Sequence, residues 1–407
     1  MKCGLLGRKL GHSYSPQIHA YLGSYRYDLF EREPEDVEDF LNNGDFSAIN
    51  VTIPYKKTVM PYCQLTPTAE YMGSVNTIIR QDDGTLLGHN TDYFGFTSMV
   101  RRSGLEPTDK KCLVLGSGGA SVTAVAVLKE MGAHVVVISR NGEDNYDNLE
   151  RHKDAAIICN CTPVGMYPNN GFSPIDLDLF PQLEGVLDMI YNPSRTRMLM
   201  DAENRGLVGM NGLWMLVAQA KEAAEWFLGN KLPDSLIETV YRKMQLQMEN
   251  IILVGMPGCG KSTVGKALAD RLGKQFADVD AELVKTFQKS IPDIFAEEGE
   301  AGFRKKETQI LTDLGKRSGL VIATGGGCVT QPKNYPLLHQ NGTILWLKRD
   351  IAQLPTDGRP LSQSNRLSEM YALRKPLYET FSDYSIDNST SIHDTVSKII
   401  FILEAQK

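Results

Sequence analysis

Long apolar runs are missing from this chain of 407 residues. No stretch approaches the roughly 20 apolar residues needed to cross a bilayer, and the opening MKCGLLGRKLGHSYS lacks the apolar core of a signal peptide. A cytoplasmic location with no membrane partner is therefore expected. Positive charge is not in excess either: the formal charge is −6, the pI is near 5.7, and no basic stripe interleaves with aromatics. Nucleic acid is set aside as a partner on that ground, and small-molecule substrates are expected instead. Cysteine is scarce in any arrangement that staples or ligates. The seven residues Cys3, Cys63, Cys112, Cys159, Cys161, Cys259 and Cys328 are odd in number, scattered and without zinc spacing, so reduced thiols are expected. Cys159 and Cys161 alternate as on a strand and read as core. Internal repeats, low-complexity tracts and flexible Gly/Ser or Pro-rich linkers are absent too. With 42% apolar and 23% charged residues the composition is that of a globular protein long enough for two to three domains. Nothing in it specifies an oligomeric state.

What is present begins with NIILVGMPGCGKST, from Asn250 to Thr263. An apolar strand-like run leads into Gly255, four further residues, then Gly260, Lys261 and Ser262. Glycines let successive backbone N–H groups converge on phosphate oxygens at a helix N-terminus, while the lysine neutralises charge and the serine hydroxyl reaches Mg²⁺. Gly255, Gly258, Cys259, Gly260, Lys261, Ser262 and Thr263 are accordingly expected to hold ATP. Taken as a bare glycine turn with an exposed lysine, the segment would lack a reason for its spacing.

Apolar runs and glycine turns divide the chain into three α/β blocks. In the first, residues 1–101, KCGLLG, AINVTIP and NTIIR alternate with helical stretches such as PEDVEDFLNNG. The second, 102–210, opens with KKCLVLGSGGASVTAVAVLKEMGAHVVVISRN, a strand, glycine turn, helix and strand in the order of a dinucleotide-binding βαβ unit. The third, 249–407, starts at the phosphate-binding loop. NGLWMLVAQAKEAAEWFLG is an amphipathic helix expected to pack back on the first block, so that helices within 211–248 complete that domain. A final helix near Asp234 to Met248 runs almost directly into the strand at Asn250. The expected fold class is thus α/β: a substrate-binding domain, a Rossmann-like NADP domain and a P-loop kinase domain of the nucleoside-monophosphate-kinase type.

The turn Gly116-Ser117-Gly118-Gly119-Ala120 departs from G-x-G-x-x-G in its last positions, and its context supplies what the motif lacks. The second strand ends at Ser139-Arg140-Asn141, where an NAD site would carry an acidic residue for the ribose 2′-hydroxyl. An arginine there suits a 2′-phosphate and favours NADP(H). The plainer alternative is a solvated charge at a strand end.

The stretches GHSYSPQIH, NVTIPYK, GSVNTI, GHNTDYFGF, GSGGA, SRN, NCTPVGM, DMIYNPSRT and NGLWMLVAQA, in this order, make the first 245 residues resemble the shikimate dehydrogenase family. The resemblance implies that Ser13 and Ser15 bind a substrate carboxylate, that Asn50 and Thr52 line the pocket, and that Asn76, Tyr191 and Gln219 hold carboxylate or ring hydroxyls. The family's catalytic pair falls on Lys56 and Asp92. Reduction of a ketone needs a proton for the developing alkoxide as hydride arrives, and a paired carboxylate orients the donor. Singly, Lys56 reads as a surface lysine and Asp92 as a helix cap. Beside the glycine turn and Ser139-Arg140-Asn141, the resemblance places Met189 and Gly212 at the nicotinamide end of the cofactor site. It departs from the family at Trp214, where glycine is usual, and the plainer reading of Trp214 is an aromatic on a buried helix face.

From Asn250 onward, GMPGCGKST, FADVDAEL, SIPDIFAEEGEAGFRKKE, VIATGGG, GRPL and RKPLYE resemble the shikimate kinase family. That likeness implies Lys261 on the transferred phosphoryl group, Ser262 and Asp278 at Mg²⁺, and a pocket of Asp280, Arg304, Gly325, Gly326, Gly327 and Arg374. Asp280 would orient or deprotonate the attacking hydroxyl, and Arg359 would close over the γ-phosphate. A carboxylate substrate wants the planar fork of arginine, ring hydroxyls want a carboxylate acceptor, and the transition state wants cationic clamps. Alone, Arg304 and Arg374 read as solvated helix charges and the glycines as a loop. The family generally carries a further arginine before RPL for adenine, whereas Leu354 stands here, with Arg349 further back.

The product of one implied reaction is the substrate of the other. The expected function is bifunctional: NADPH-dependent reduction of 3-dehydroshikimate to shikimate, then ATP-dependent phosphorylation of its 3-hydroxyl. Two rivals remain open from sequence. One is a quinate/shikimate dehydrogenase using NAD fused to a small-molecule kinase, which Arg140 disfavours. The other is a non-catalytic metabolite-binding regulator, which would have little chemical reason to keep Lys56, Asp92, Lys261, Ser262 and Asp280 together.

Overall fold

Short β-branched runs punctuated by glycine turns form three sheets, each built from one stretch of sequence. The computed structural model describes residues 1–11, 13–354 and 364–405. Sheet one holds β1 (Lys2–Gly7), β2 (Arg26–Glu31), β3 (Ala48–Val51), β4 (Gln64–Leu65), β5 (Thr77–Arg80) and β6 (Leu86–His89) in the order β2-β1-β3-β5-β6-β4. It is mixed: β1 runs parallel to β2 and β3, while β5 is antiparallel to both β3 and β6. Sheet two holds β7 (Lys111–Leu115), β8 (His134–Ile138), β9 (Ile157–Asn160), β10 (Gly185–Asp188) and β11 (Val208–Met210) in the order β11-β10-β9-β7-β8. Sheet three holds β12 (Asn250–Val254), β13 (Gln275–Asp278), β14 (Leu320–Ala323), β15 (Gly342–Lys348) and β16 (Tyr384–Asp387) in the order β13-β14-β12-β15-β16. Sheets two and three are parallel throughout; their inner strands β7, β9, β10, β12, β14 and β15 are buried on both faces, while the edge strands β8, β11, β13 and β16 are partly exposed.

Two compact units result. One comprises Met1–Val164, Ser173–Tyr191 and Asp201–Met244; the other comprises Gly165–Phe172, Asn192–Met200 and Gln245–Lys407. In the first, the helix Leu213–Leu228 lies against the helix Asp92–Ser103 so closely that a Cβ on Gly95 would meet the Met215 carbonyl at 2.8 Å. The same helix places Phe227 with Cys3, Ala48 and Ala223 in one buried cluster. In the second, the central strand β12 is wholly buried, and Leu354 packs into the core at 5% exposure. That leucine therefore does not present itself to a nucleotide. Arg359, expected over the γ-phosphate, lies outside the described residues. Among the described residues no helix is long and apolar enough to cross a membrane.

His19, on the helix Ser15–Leu22, lies between Tyr27 and Phe227, stacked on them with ring centroids 4.1 and 5.6 Å away, and its Nδ1 is 2.6 Å from the Tyr25 hydroxyl. Burial pushes its imidazole down to about 3. The folded state thus holds a neutral ring where the unfolded chain takes up a proton near pH 6.5, so the unfolded state binds more protons between those values. Stability conferred above pH 6.5 is withdrawn as pH falls toward 3. About 2 kcal/mol of the neutral-pH stability is expected to be lost by pH 5 through this group. Denaturant titrations at pH 7 and pH 5 check this: His19→Phe should lose less than the parent by about that amount. An identical loss in both would mean the ring is not buried in its neutral form.

Candidate active sites

In the first unit the ends of β3, β5 and β6 converge on one polar cluster. Lys56 follows β3, and its Nζ lies 2.6 Å from Asp92 Oδ2, with the two side chains 29% and 16% exposed. Asp92 opens the helix Asp92–Ser103, where the positive end of the helix dipole favours its charge. Its backbone N–H donates to Asn90 Oδ1 at 3.0 Å, and Asn90 donates in turn to Ser74. Asn76 Oδ1 accepts from the Thr91 backbone N–H at 2.8 Å, and the Thr91 hydroxyl lies 3.2 Å from both Asn76 Oδ1 and Gln219 Oε1. Asn50 is 6% exposed and donates to the Asn76 carbonyl and the Thr77 hydroxyl. Thr52 follows it, anchored by its N–H on the Leu6 carbonyl. Ser13 and Ser15 form a half-buried turn in which the Ser15 N–H donates to Ser13 Oγ at 3.2 Å. Tyr14 between them meets Tyr191 edge-on at 6.1 Å.

Asn50, Asn76 and Gln219, with Lys56 and Asp92, thus belong to one hydrogen-bonded region. The two serines bond each other, and Tyr191 meets Tyr14 between them; among the described residues no hydrogen bond ties these three to that region. Thr91 is a member that the sequence reasoning passed over, although it stands in GHNTD beside Asp92.

The glycine turn lies at the C-terminal end of β7, and Gly118 precedes the helix Gly119–Glu130. A Cβ on Gly118 or Gly119 would meet nothing within 4 Å, so internal packing does not demand glycine there. Open space beside a helix N-terminus, flanked by Gly116, Ser117 and Ala120, fits a pyrophosphate approaching the backbone. Arg140 is exposed just beyond β8, between Ser139 and Asn141. Gly212 and Met189 touch: a Cβ on Gly212 would stand 2.2 Å from the Met189 carbonyl oxygen, which excludes any larger residue. Trp214 is buried, donates from Nε1 to Ser98 Oγ at 2.8 Å, and meets Tyr241 edge-on at 5.2 Å. It is a packing residue of the helix face.

In the second unit β12 ends in a loop whose Gly255, Gly258 and Gly260 have φ of 146°, 82° and 99°, the region open to glycine. Lys261 is 8% exposed and its Nζ donates to the Gly255 and Met256 carbonyls at 2.9 and 3.0 Å. Ser262 and Thr263 lie in the first turn of the helix Lys261–Leu272. The Ser262 hydroxyl donates to Asp278 Oδ2 at 2.6 Å, while Asp278 Oδ1 caps the next helix on the Asp280 N–H. This pair of oxygen donors beside the phosphate loop suits a hard, water-bearing cation such as Mg²⁺. Among the described residues no cluster of three or more His, Cys, Asp or Glu is placed to hold a metal ion, so phosphate and water would complete the shell.

Gly325 to Gly327 tie the remaining residues together. A Cβ on Gly326 would strike Pro257 of the phosphate loop at 2.6 Å, and one on Gly327 would strike Arg304 Nη2 at 2.0 Å. A Cβ on Gly325 would lie 2.5 Å from Glu307 and 3.5 Å from Asp280 Oδ1. Arg374 donates to the Gly326 carbonyl at 3.2 Å. Arg304 pairs with the fully buried Glu307 at 2.7 Å and with Glu300 at 3.3 Å. Burial raises the Glu307 carboxyl above its ordinary value, against the pull of Arg304. Two arginines and one aspartate around a glycine loop have the chemistry to receive a small hydroxylated carboxylate beside a phosphate site.

These geometries coincide with two known families. A model for the shikimate dehydrogenase substrate binding domain matches residues 5–78. The NADP(+) shikimate dehydrogenase of Clostridium perfringens strain SM101 is 35% identical over 270 residues, covering 60% of this chain and 97% of the relative. The chain belongs to the shikimate dehydrogenase family. A solved shikimate dehydrogenase from Peptoclostridium difficile superposes with TM-score 0.55 at 35% identity, covering 60% of this chain and 98% of that one. One from Thermus thermophilus, solved in complex with NADP(H) and shikimate, superposes with TM-score 0.55 at 29% identity, covering 60% and 99%. A shikimate kinase model matches residues 257–404. The dehydrogenase segment is therefore followed by a P-loop kinase segment in one chain.

Asn388, beyond β16, is a further residue of the kinase site that sequence reasoning missed. It is 6% exposed, donates from Nδ2 to the Cys259 carbonyl at 2.6 Å, and accepts from the Thr395 hydroxyl at 2.8 Å. It braces the phosphate loop from outside. Asn388→Ala is expected to raise KM for ATP by about tenfold, the scale of one buried hydrogen bond, leaving NADPH-linked turnover unchanged. Initial rates at varied ATP check this; an unaltered KM would leave the brace without influence on the loop.

Proposed function

We infer that this chain catalyses two consecutive steps: NADPH-dependent reduction of 3-dehydroshikimate to shikimate, and ATP-dependent phosphorylation of shikimate to shikimate 3-phosphate. The observation that carries the reading is the coexistence of the Lys56–Asp92 pair at 2.6 Å in one unit with Lys261, Ser262 and the Arg304–Gly327 cradle in the other. Bound NADPH supplies hydride. In the first site Lys56 Nζ holds the proton that quenches the alkoxide, and Asp92 fixes the direction in which that proton points. Ser13 and Ser15 take the substrate carboxylate, Asn50 and Thr52 line the pocket, and Asn76, Tyr191 and Gln219 hold carboxylate or ring hydroxyls. Arg140 takes the cofactor 2′-phosphate.

In the second site Arg304 and Arg374 seat the carboxylate, and Asp280 turns the 3-hydroxyl toward the phosphoryl donor and accepts its proton. Lys261 neutralises the charge that develops on the transferred group, while Ser262 and Asp278 would hold a Mg²⁺ that screens the phosphate charge. The domain boundaries that follow are 1–101 with helices of 211–248 for the substrate domain, 102–210 for the NADP domain and 249–407 for the kinase.

The test uses one cuvette holding purified protein, 3-dehydroshikimate, NADPH, Mg²⁺ and ATP, with NADPH absorbance and ADP release followed together. ADP release that begins only after NADPH oxidation starts is the expected result. NADPH oxidation without ADP release, even when shikimate is added, would overturn the kinase half of the reading. Faster turnover of 3-dehydroquinate with NADH would overturn the assignment made from Arg140.

A further inference from the structure

Tyr27 lies on β2, two residues after Tyr25, in none of the motifs that mark the dehydrogenase site. Its ring is stacked on His19 at 4.1 Å with planes 13° apart, which fixes where its hydroxyl can be. That hydroxyl donates to Asn50 Oδ1 at 2.8 Å. Burial holds the phenol well above its usual titration range, so the proton stays in place.

The donor and acceptor count at Asn50 gives this contact its consequence. Both amide hydrogens of Asn50 are engaged, at 3.3 Å to the Asn76 carbonyl and 3.1 Å to the Thr77 hydroxyl. The carboxamide oxygen accepts from Tyr27 and retains one lone pair. With this arrangement Asn50 can accept a hydrogen bond from a substrate hydroxyl, but has no proton to give to a ketone or carboxylate. A carboxamide rotated by half a turn would set its NH₂ against the Tyr27 hydroxyl and its oxygen against the Asn76 carbonyl. The Asn76 carbonyl, which can only accept, penalises that rotation, and the Tyr27 hydroxyl fixes where the carboxamide oxygen stands.

We propose that Tyr27 is a positioning residue of the dehydrogenase site, holding the Asn50 carboxamide in place so that its oxygen is presented as an acceptor to a substrate ring hydroxyl. The inference rests on the reading of the first unit as a dehydrogenase. Tyr27→Phe keeps the ring on His19 and removes one hydroxyl. It is expected to raise KM for 3-dehydroshikimate about tenfold, the scale of a hydrogen bond left unmade in a buried pocket, while kcat and KM for NADPH stay within about twofold. A residue with only a structural role would lower the denaturation midpoint and leave that KM where it was.

Asn50→Ala supplies the second variant. If Tyr27 acts through Asn50, the double variant should lose no more kcat/KM than Asn50→Ala alone. Multiplicative losses would overturn the proposal, as would an unchanged KM in Tyr27→Phe while the parent protein turns over 3-dehydroshikimate. Failure of the parent itself to oxidise NADPH with that substrate would instead overturn the dehydrogenase reading.

Discussion

Lys56→Ala should lower kcat for NADPH-dependent reduction by roughly three orders of magnitude, the range spanned by removal of a positioned general acid. Its ammonium pairs with Asp92 at 2.6 Å and is partly shielded from water. Water entering the vacated space is a weaker proton source without fixed direction. KM for the cofactor should hardly change, because the glycine turn and Arg140, rather than Lys56, are the residues proposed to receive the cofactor phosphates. Lys56→Arg should not rescue the rate, since a guanidinium keeps the charge but does not release its proton near neutrality. Asp92→Asn should be milder, by about one to two orders of magnitude, because an amide oxygen still receives the lysine N–H but no longer balances its charge. Stopped-flow NADPH absorbance on the three variants measures all of this, with ADP formation from added shikimate as the control. Retention of more than about a tenth of the parent rate by Lys56→Ala would place the proton donor elsewhere.

Features carried by local spacing were legible in the sequence. The strand entering the phosphate loop, the glycine turn after β7 and the helix Leu213–Leu228 each announce themselves through periodicity or glycine placement within about 20 residues. The reactive pairs were less so. Lys56 and Asp92 are 36 positions apart and Thr91 and Gln219 are 128 apart, separations across which no period survives. Only resemblance to a family brought the first pair forward, and Thr91 went unnoticed beside the more reactive Asp92.

Glu307 illustrates a different limit. On a helix rich in charge it reads as solvated, yet it is wholly buried under Arg304 because the Gly325–Gly327 loop closes over that face. Asn388 had no signal at all: its partner Cys259 is 129 positions away, and an asparagine after a strand ordinarily marks a turn.

Lys261→Ala is expected to reduce phosphorylation of shikimate by two to three orders of magnitude, roughly the weight of a cationic clamp on a transferring phosphoryl group. Two effects act together. The ammonium bonds the Gly255 and Met256 carbonyls, so it also stabilises the loop whose N–H groups must face phosphate. Its removal leaves two carbonyls of a buried loop without their donor and withdraws the charge from the reacting centre. KM for ATP should therefore rise alongside the fall in kcat, whereas loss of transition-state contact alone would leave KM unchanged. Lys261→Arg separates the contributions, because it restores charge but cannot place a compact ammonium between the same two carbonyls. NADPH oxidation should proceed at the parent rate in both variants, and shikimate should accumulate in place of its phosphate. Quantifying shikimate and ADP after complete NADPH consumption decides the matter. Equal ADP from Lys261→Ala and the parent would remove Lys261 from the phosphoryl-transfer step.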